Sequence, residues 1–155
     1  MSESFSEPVV SVIIERPGPP QEVLLQERSK VEAGQFRGLL ELPQGRLRQG
    51  ETILECAERE VLEETGLVLF SPTTQVQISE INGEVLAHGD FQVVCESGVH
   101  SFLAVCIVGT AEGTPRGSEE STNPQWYGRT SILELLRSNR VFPLNVPMLQ
   151  RFLST

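Results

Sequence analysis

The 155-residue chain is 39% apolar and 21% charged, the proportions of a soluble globular protein able to bury a core of ordinary size. Its net charge of −9 disfavours duplex nucleic acid or an anionic membrane as the main ligand, and would repel a phosphate unless bound cations inverted the local field. No run approaches the length of a membrane span, the start MSESFSE has no apolar signal core, and three cysteines without ligand spacing read as reduced packing residues of a cytoplasmic protein.

In chain order, residues 1–7 form a polar tail and residues 8–155 a single domain. Pro8 to Glu15 is β-branched and apolar; PGPP at 17–20 breaks it, and Glu22 to Gln26 follows, so the pattern predicts two strands joined by a turn. Arg28 to Gly38 is a polar loop carrying Arg28 and Arg37, and Leu39 to Leu42 is a short strand leading to Pro43-Gln44-Gly45. Beyond the central segment treated below, Val68 to Phe70 is extended and Ser71-Pro72 breaks it. Thr74 to Glu80 alternates into an Asn82-Gly83 hairpin turn, with Glu84 to Ala87 as the return strand. Phe91 to Cys95 and Val99 to Val108 make a second hairpin, with His100 at its start read as a packing residue. A loop over 110–125 contains Glu119 and Glu120, and Trp126-Tyr127 returns the chain to the sheet. Thr130 is placed to cap one helix, and Asn145 begins another after Phe142-Pro143. Strands before, around and after helices predict an α/β (α+β) layered domain with a mixed β-sheet.

The central segment, Gly45 to Leu67, predicts one helix between glycine-punctuated loops. Thr52 and Glu55 form a capping box, and Gly66 stands where a left-handed helix end needs no Cβ. Glu60 and Glu64, four apart, share a face, with Glu63 beside them. Like charges at that spacing cost a free helix roughly 0.2–0.5 kcal/mol each, and the helix dipole opposes acids near the C-terminal end. One reading is a solvated acidic face. The other is a site for a hard divalent cation, Mg²⁺ or alternatively Mn²⁺, held by carboxylates with waters and substrate phosphates completing the shell. Hydrolysis of a phosphoanhydride needs charge neutralisation, a positioned water and a base, and Glu51, Glu60, Glu63 and Glu64 supply oxygens for it.

Residues 45–67 resemble the Nudix box, GX5EX7REUXEEXGU with U a bulky aliphatic; Gly45, Glu51, Arg59, Glu60, Val61, Glu63, Glu64, Gly66 and Leu67 fill every specified position. One departure lies just before it, where Gln44-Gly45 replaces the family's common pair of glycines. The resemblance implies a Nudix-type α/β/α sandwich with a mixed β-sheet. It also implies hydrolysis of a nucleoside diphosphate derivative or nucleoside triphosphate, a small-molecule substrate, by a monomer or homodimer. Glu60 and Glu64 become the main metal ligands, Glu51 and Glu63 the secondary ones, with the Gly45 carbonyl completing the shell and Arg59 orienting a box glutamate. Arg28 and Arg37 are candidate phosphate contacts. By likeness to mutator-type enzymes, Asn145 is a candidate reader of an oxidised guanine, its alternative being a helix cap. The same likeness puts the general base at Glu120 ahead of Glu119, with box glutamates such as Glu63 as alternatives. ADP-ribose, dinucleoside polyphosphates and a non-catalytic nucleotide sensor stay open as alternative readings.

Overall fold

The computed structural model describes residues 5, 7–29, 36–76, 92–95, 98–119 and 121–154, with side chains at all of these except 74–76, 92–95, 98–101 and 121. Strand β1 (Glu7–Glu15) is its spine. Along one edge it runs parallel to β7 (Gly98–Thr110), paired from Glu7–Phe102 to Glu15–Thr110. Alternation along β1 sends Val9 and Ile13 to one face and Val10, Val12 and Ile14 to the other, all buried. An apolar run this continuous suits a strand covered on both sides.

The two faces carry two cores. Val9, Ile13, Val23, Leu25 and Leu42 pack with Ile132 of α2 (Arg129–Arg137) and with Met148, Leu149 and Phe152 of α3 (Val146–Leu153). Val10, Val12, Ile14, Leu24 and Ile107 pack with Cys56, Ala57 and Val61 of α1 (Ile53–Thr65). Each valine, leucine, isoleucine, methionine or phenylalanine among them contributes roughly 1.5–3 kcal/mol on full burial. The result is the expected α/β/α sandwich, with β5 (Phe70–Val76) antiparallel to β7 at one end of the sheet and β6 (Gln92–Cys95) forming the expected hairpin with β7, Cys95 opposite Gly98.

What positions the site is a split in this sheet. Strand β2 (Glu22–Arg28) pairs with β1 only at Glu15–Val23, while its other edge is held by β8 (Ser121–Gly128) from Glu22–Gly128 to Arg28–Ser121. Where β1 and β2 part, β3 (Leu40–Glu41) joins β2 through Gln26–Glu41, and β4 (Gln44–Arg46) joins β1 through Ser11–Gln44 and Val10–Gly45. The Val12 amide also donates to the Pro43 carbonyl at 2.9 Å. Polar residues line the opening: Ser11, Gln26, Glu41 and Asn145 are all buried.

Several expectations are corrected. Ser71-Pro72 does not end a strand; β5 runs through both, with Ser71 at φ 49° and a shifted register. A proline is tolerated there because the register against β7 shifts between Phe70 and Thr73, and among the described residues β5 lies at the end of the sheet. Strand β8 begins at Ser121, well before Trp126, because β2 offers its full length as a partner. Helix α2 starts after Gly128, so Thr130 lies inside its first turn and does not cap it. Gln44-Gly45 is strand, not loop. The Asn82-Gly83 turn, its flanking segments in 77–91, Glu120 and the His100 side chain lie outside the described residues. No helix among the described residues is long and apolar enough to cross a membrane.

Candidate active site

Helix α1 has the expected ends. The Thr52 hydroxyl accepts from the Glu55 amide at 3.1 Å while Glu55 accepts from the Thr52 amide at 2.9 Å. Gly66, at φ 75°, closes the other end by donating to the Leu62 carbonyl at 3.0 Å. The four-residue spacing puts Glu60 and Glu64 on the same buried face as Cys56, so both carboxyls enter the sandwich at the split. They are 8% and 6% exposed, far below the exposure acids ordinarily keep.

Gly45 lies directly over this pair. A Cβ there would stand 2.1 Å from both Cδ and Oε1 of Glu60, so only glycine lets β4 pass so close to the carboxylate. Glu64 accepts from the Gln26 side-chain amide and from the Gln44 backbone amide. Burial pushes the Glu60 carboxyl above the usual carboxylate range and Glu64 well above it, with the nearby charge of Glu41 adding to the effect on Glu64.

Arg59 organises the other acids. Its Nε and Nη2 clasp Glu51 at 3.0 and 2.7 Å, its Nη1 donates to Glu60 at 2.6 Å and reaches Glu63 at 3.4 Å, and Nη2 also donates to the Arg46 carbonyl at 3.2 Å. Glu51 accepts a further bond from the Arg48 amide at 2.9 Å. Hydrogen bonding from Arg59 is the main reason the Glu51 carboxyl is held at about 2. Glu63 is half exposed, with Arg48 at 3.8 Å as a second ion-pair partner.

Glu60, Glu64 and Gly45 thus come together, whereas Glu51 is held by Nε and Nη2 of Arg59 and Glu63 is half exposed at the Nη1 that Glu60 also uses. Among the described residues no three acidic side chains converge as a ready metal cluster. The donor set still fits a hard cation: two buried carboxylates, a glycine whose missing Cβ opens the approach, and the buried Gln26 Oε1, which has no hydrogen-bond partner among the described residues.

The remaining candidates divide. Arg28 borders the split, its guanidinium paired with Glu41 and stacked 4.0 Å from the Phe142 ring centre. Arg37 is exposed in the turn after Phe36. Asn145 is fully buried in the 3-10 turn Pro143–Asn145; it accepts from the Leu42 amide at 3.1 Å and donates to Gln44 Oε1 at 2.8 Å. It makes no side-chain cap for α3, and its amide ties the C-terminal region to the strands before Gly45. Glu119 is exposed in a segment that α1 anchors, since the Arg116 amide donates to the Thr65 carbonyl at 2.9 Å and its side chain lies against Gly66.

Gln26, Glu41 and Ser11 escaped the sequence reading. Each is a polar residue at an inward position of an otherwise apolar strand, and that was the available signal.

The family model for the NUDIX domain matches residues 6–146, and the chain belongs to that family. It is 33% identical over 123 residues to the mouse 8-oxo-dGDP phosphatase NUDT18, covering 79% of this chain and 33% of that protein. It is 35% identical over 109 residues to the mouse oxidized purine nucleoside triphosphate hydrolase, covering 70% of this chain and 59% of that one. The matches therefore span about a third and under two thirds of those relatives' lengths. A crystal structure of a NUDIX hydrolase from Nitrosomonas europaea superposes with a TM-score of 0.65 at 19% identity, covering 99% of this chain and 73% of that chain, a likeness of fold.

Proposed function

We propose that the chain is a divalent-cation-dependent hydrolase of phosphoanhydride bonds in nucleoside di- or triphosphates, with oxidised purine nucleotides as the preferred substrate class. The observation that carries the activity is the Glu60–Glu64 pair, buried beneath Gly45 with no arginine or lysine pairing with Glu64 among the described residues. A buried acid such as Glu64, with no countercharge among the described residues, destabilises a fold unless something else needs it. The substrate class rests on the printed activities of the two mouse relatives.

In this reading Glu60, Glu64 and the Gly45 carbonyl hold the cation, Mg²⁺ or Mn²⁺. When bound, it neutralises phosphate oxygens and acidifies a coordinated water. Arg59 keeps Glu60 in position from the side, and Glu51 in turn fixes Arg59. Glu63, exposed beside the pair, serves a second cation or takes the proton of the attacking water, and Glu120 is the other candidate for that proton. Arg28, braced by Glu41 and Phe142, and Arg37 meet substrate phosphates. One water is consumed and the anhydride oxygen leaves with the departing phosphate.

The test is a panel of nucleoside diphosphates and triphosphates, oxidised and unmodified, together with ADP-ribose and dinucleoside polyphosphates, incubated with Mg²⁺ and resolved by chromatography. Oxidised purine nucleotides should turn over with the highest kcat/KM. Preference for ADP-ribose or dinucleoside polyphosphates would overturn the substrate class, and binding without turnover of anything would make the chain a nucleotide sensor. Repeating the pH–rate profile on Glu120→Gln and Glu63→Gln identifies the base as the variant that loses the acidic limb with a cost of roughly 10²–10⁴ in kcat.

A further inference from the structure

Gln26 is a polar residue where the β2 pattern calls for an apolar one. It follows Val23, Leu24 and Leu25, is fully buried, and shares with Leu24 the sheet face that packs on α1. Its backbone pairs with Glu41 of β3, so it stands where the sheet has opened. Its amide nitrogen donates to Glu64 Oε2, and its carbonyl oxygen has no hydrogen-bond partner among the described residues. Leaving a buried amide half satisfied is unfavourable, and an apolar side chain of similar size would remove that cost.

Charge explains the choice of group. Glu41, opposite Gln26, is paired with the Arg28 guanidinium and accepts from Gln44 Nε2 at 3.2 Å. Glu51 is likewise clasped by Arg59. Among the described residues Glu64 receives only neutral donors, the Gln26 side chain and the Gln44 backbone amide. An arginine at position 26 would fix the carboxylate equally well but cancel its charge. A leucine would leave the charge and lose the orientation. Glutamine alone among these supplies a directional donor, no charge, and an acceptor facing the same polar opening.

Resting on the proposed cation-dependent reading, we propose that Gln26 is a positioning residue for Glu64: its amide fixes the carboxylate through Oε2 while preserving its charge, and its carbonyl accepts a hydrogen bond from a water carried by the cation. Groups that orient metal-binding carboxylates typically set cation affinity by 10–100-fold.

The experiment is Mn²⁺ binding to the full chain without nucleotide, read by loss of the free-ion electron paramagnetic resonance signal, on wild type, Gln26→Leu, Gln26→Met and Glu64→Gln. Wild type should bind, Glu64→Gln should lose the site, and both Gln26 variants should bind roughly 10–100-fold more weakly while melting at or above the wild-type temperature in EDTA. Wild-type affinity in either folded Gln26 variant overturns the positioning role and leaves the cation-dependent reading standing. No binding to wild type overturns both. A second measurement needs no variant to fold: Mg²⁺ titration of wild-type protein with ¹⁵N-labelled glutamine side chains should shift the Gln26 amide signal, recognised by its contacts to Glu64, along the same saturation curve as activity. An unmoved signal through saturation also overturns the proposal.

Discussion

Glu51 and Glu64 belong to one short segment and are handled in opposite ways. Glu51 is clasped by both arms of Arg59 and a backbone amide, its negative charge fully answered and its carboxyl held at about 2. Glu64 is driven into the sandwich and given two neutral donors, with Glu60 and Glu41 as neighbours, so burial pushes its carboxyl well above the usual range. The first arrangement is what a protein builds to keep a loop and a helix together. The second stores electrostatic cost in the fold, and on the proposed reading a bound cation offsets it. Between these two acids the difference is depth and partner: Glu51 meets an arginine at the surface, whereas Glu64 is buried with none against it among the described residues.

The largest effect that sharpens this contrast is expected from Glu64→Gln. Turnover should fall by more than about 100-fold, since a neutral amide is a poor ligand for a hard cation, while the melting temperature in EDTA holds or rises as repulsion is relieved. Turnover within a few-fold of wild type at saturating Mg²⁺ would erase the distinction between the two acids.

Gly45→Ala comes next. The added methyl would collide with the end of the Glu60 side chain, not with backbone, so the carboxylate can swing aside and the fold survive. A displacement of about 1 Å can cost on the order of 10²-fold in rate. The expected outcome is therefore a large loss of kcat with a small shift in melting temperature; the reverse pattern would show that Gly45 serves only the β1–β4 pairing.

The smallest and most diagnostic effect is in stability against pH. Glu60 and Glu64 hold protons more tightly folded than unfolded, so in EDTA their penalty is absent well below the ordinary carboxylate pKa of about 4.5 and grows as pH rises through their raised values. Glu51 acts in the opposite sense, its stabilisation present above about 4.5 and lost as pH falls towards about 2. Melting curves in EDTA should thus decline on the alkaline side, and Mg²⁺ should remove that decline. Arg59→Lys, which loses the planar fork, should weaken the acid-side stabilisation while leaving the Mg²⁺-sensitive decline in place.

Much of this site was written in the spacing of residues 45–67. Helix period alone puts Glu60 and Glu64 on one face, and the capping residues fix where that helix starts and stops. The strand alternation of β1 likewise marks both of its buried faces. Local pattern could not reveal that β1 and β2 diverge after a single pairing and admit β3 and β4 between them. That divergence is a long-range event, decided by which strands compete for an edge. With it hidden, Ser11 and Gln26 look like imperfections in apolar strands, and nothing local ties Asn145 to Leu42 and Gln44. Ser71-Pro72 misled for a related reason, because turn chemistry on an edge strand need not end the strand.

Asn145 also limits how freely this architecture can be recombined. Its amide spans Leu42 and Gln44, a hundred positions earlier in the chain, and so sets the height at which the peptide before Gly45 crosses the carboxylates. The C-terminal helix is consequently not an interchangeable cover. A graft that replaced 143–153 with an equally apolar helix would restore the buried surface and still release the strand above Glu60, so a donor segment must bring an amide to position 145 before its sequence elsewhere matters. A fusion that unwinds the turn at Pro143 would be registered first as a fault in catalysis, at a point it never touches.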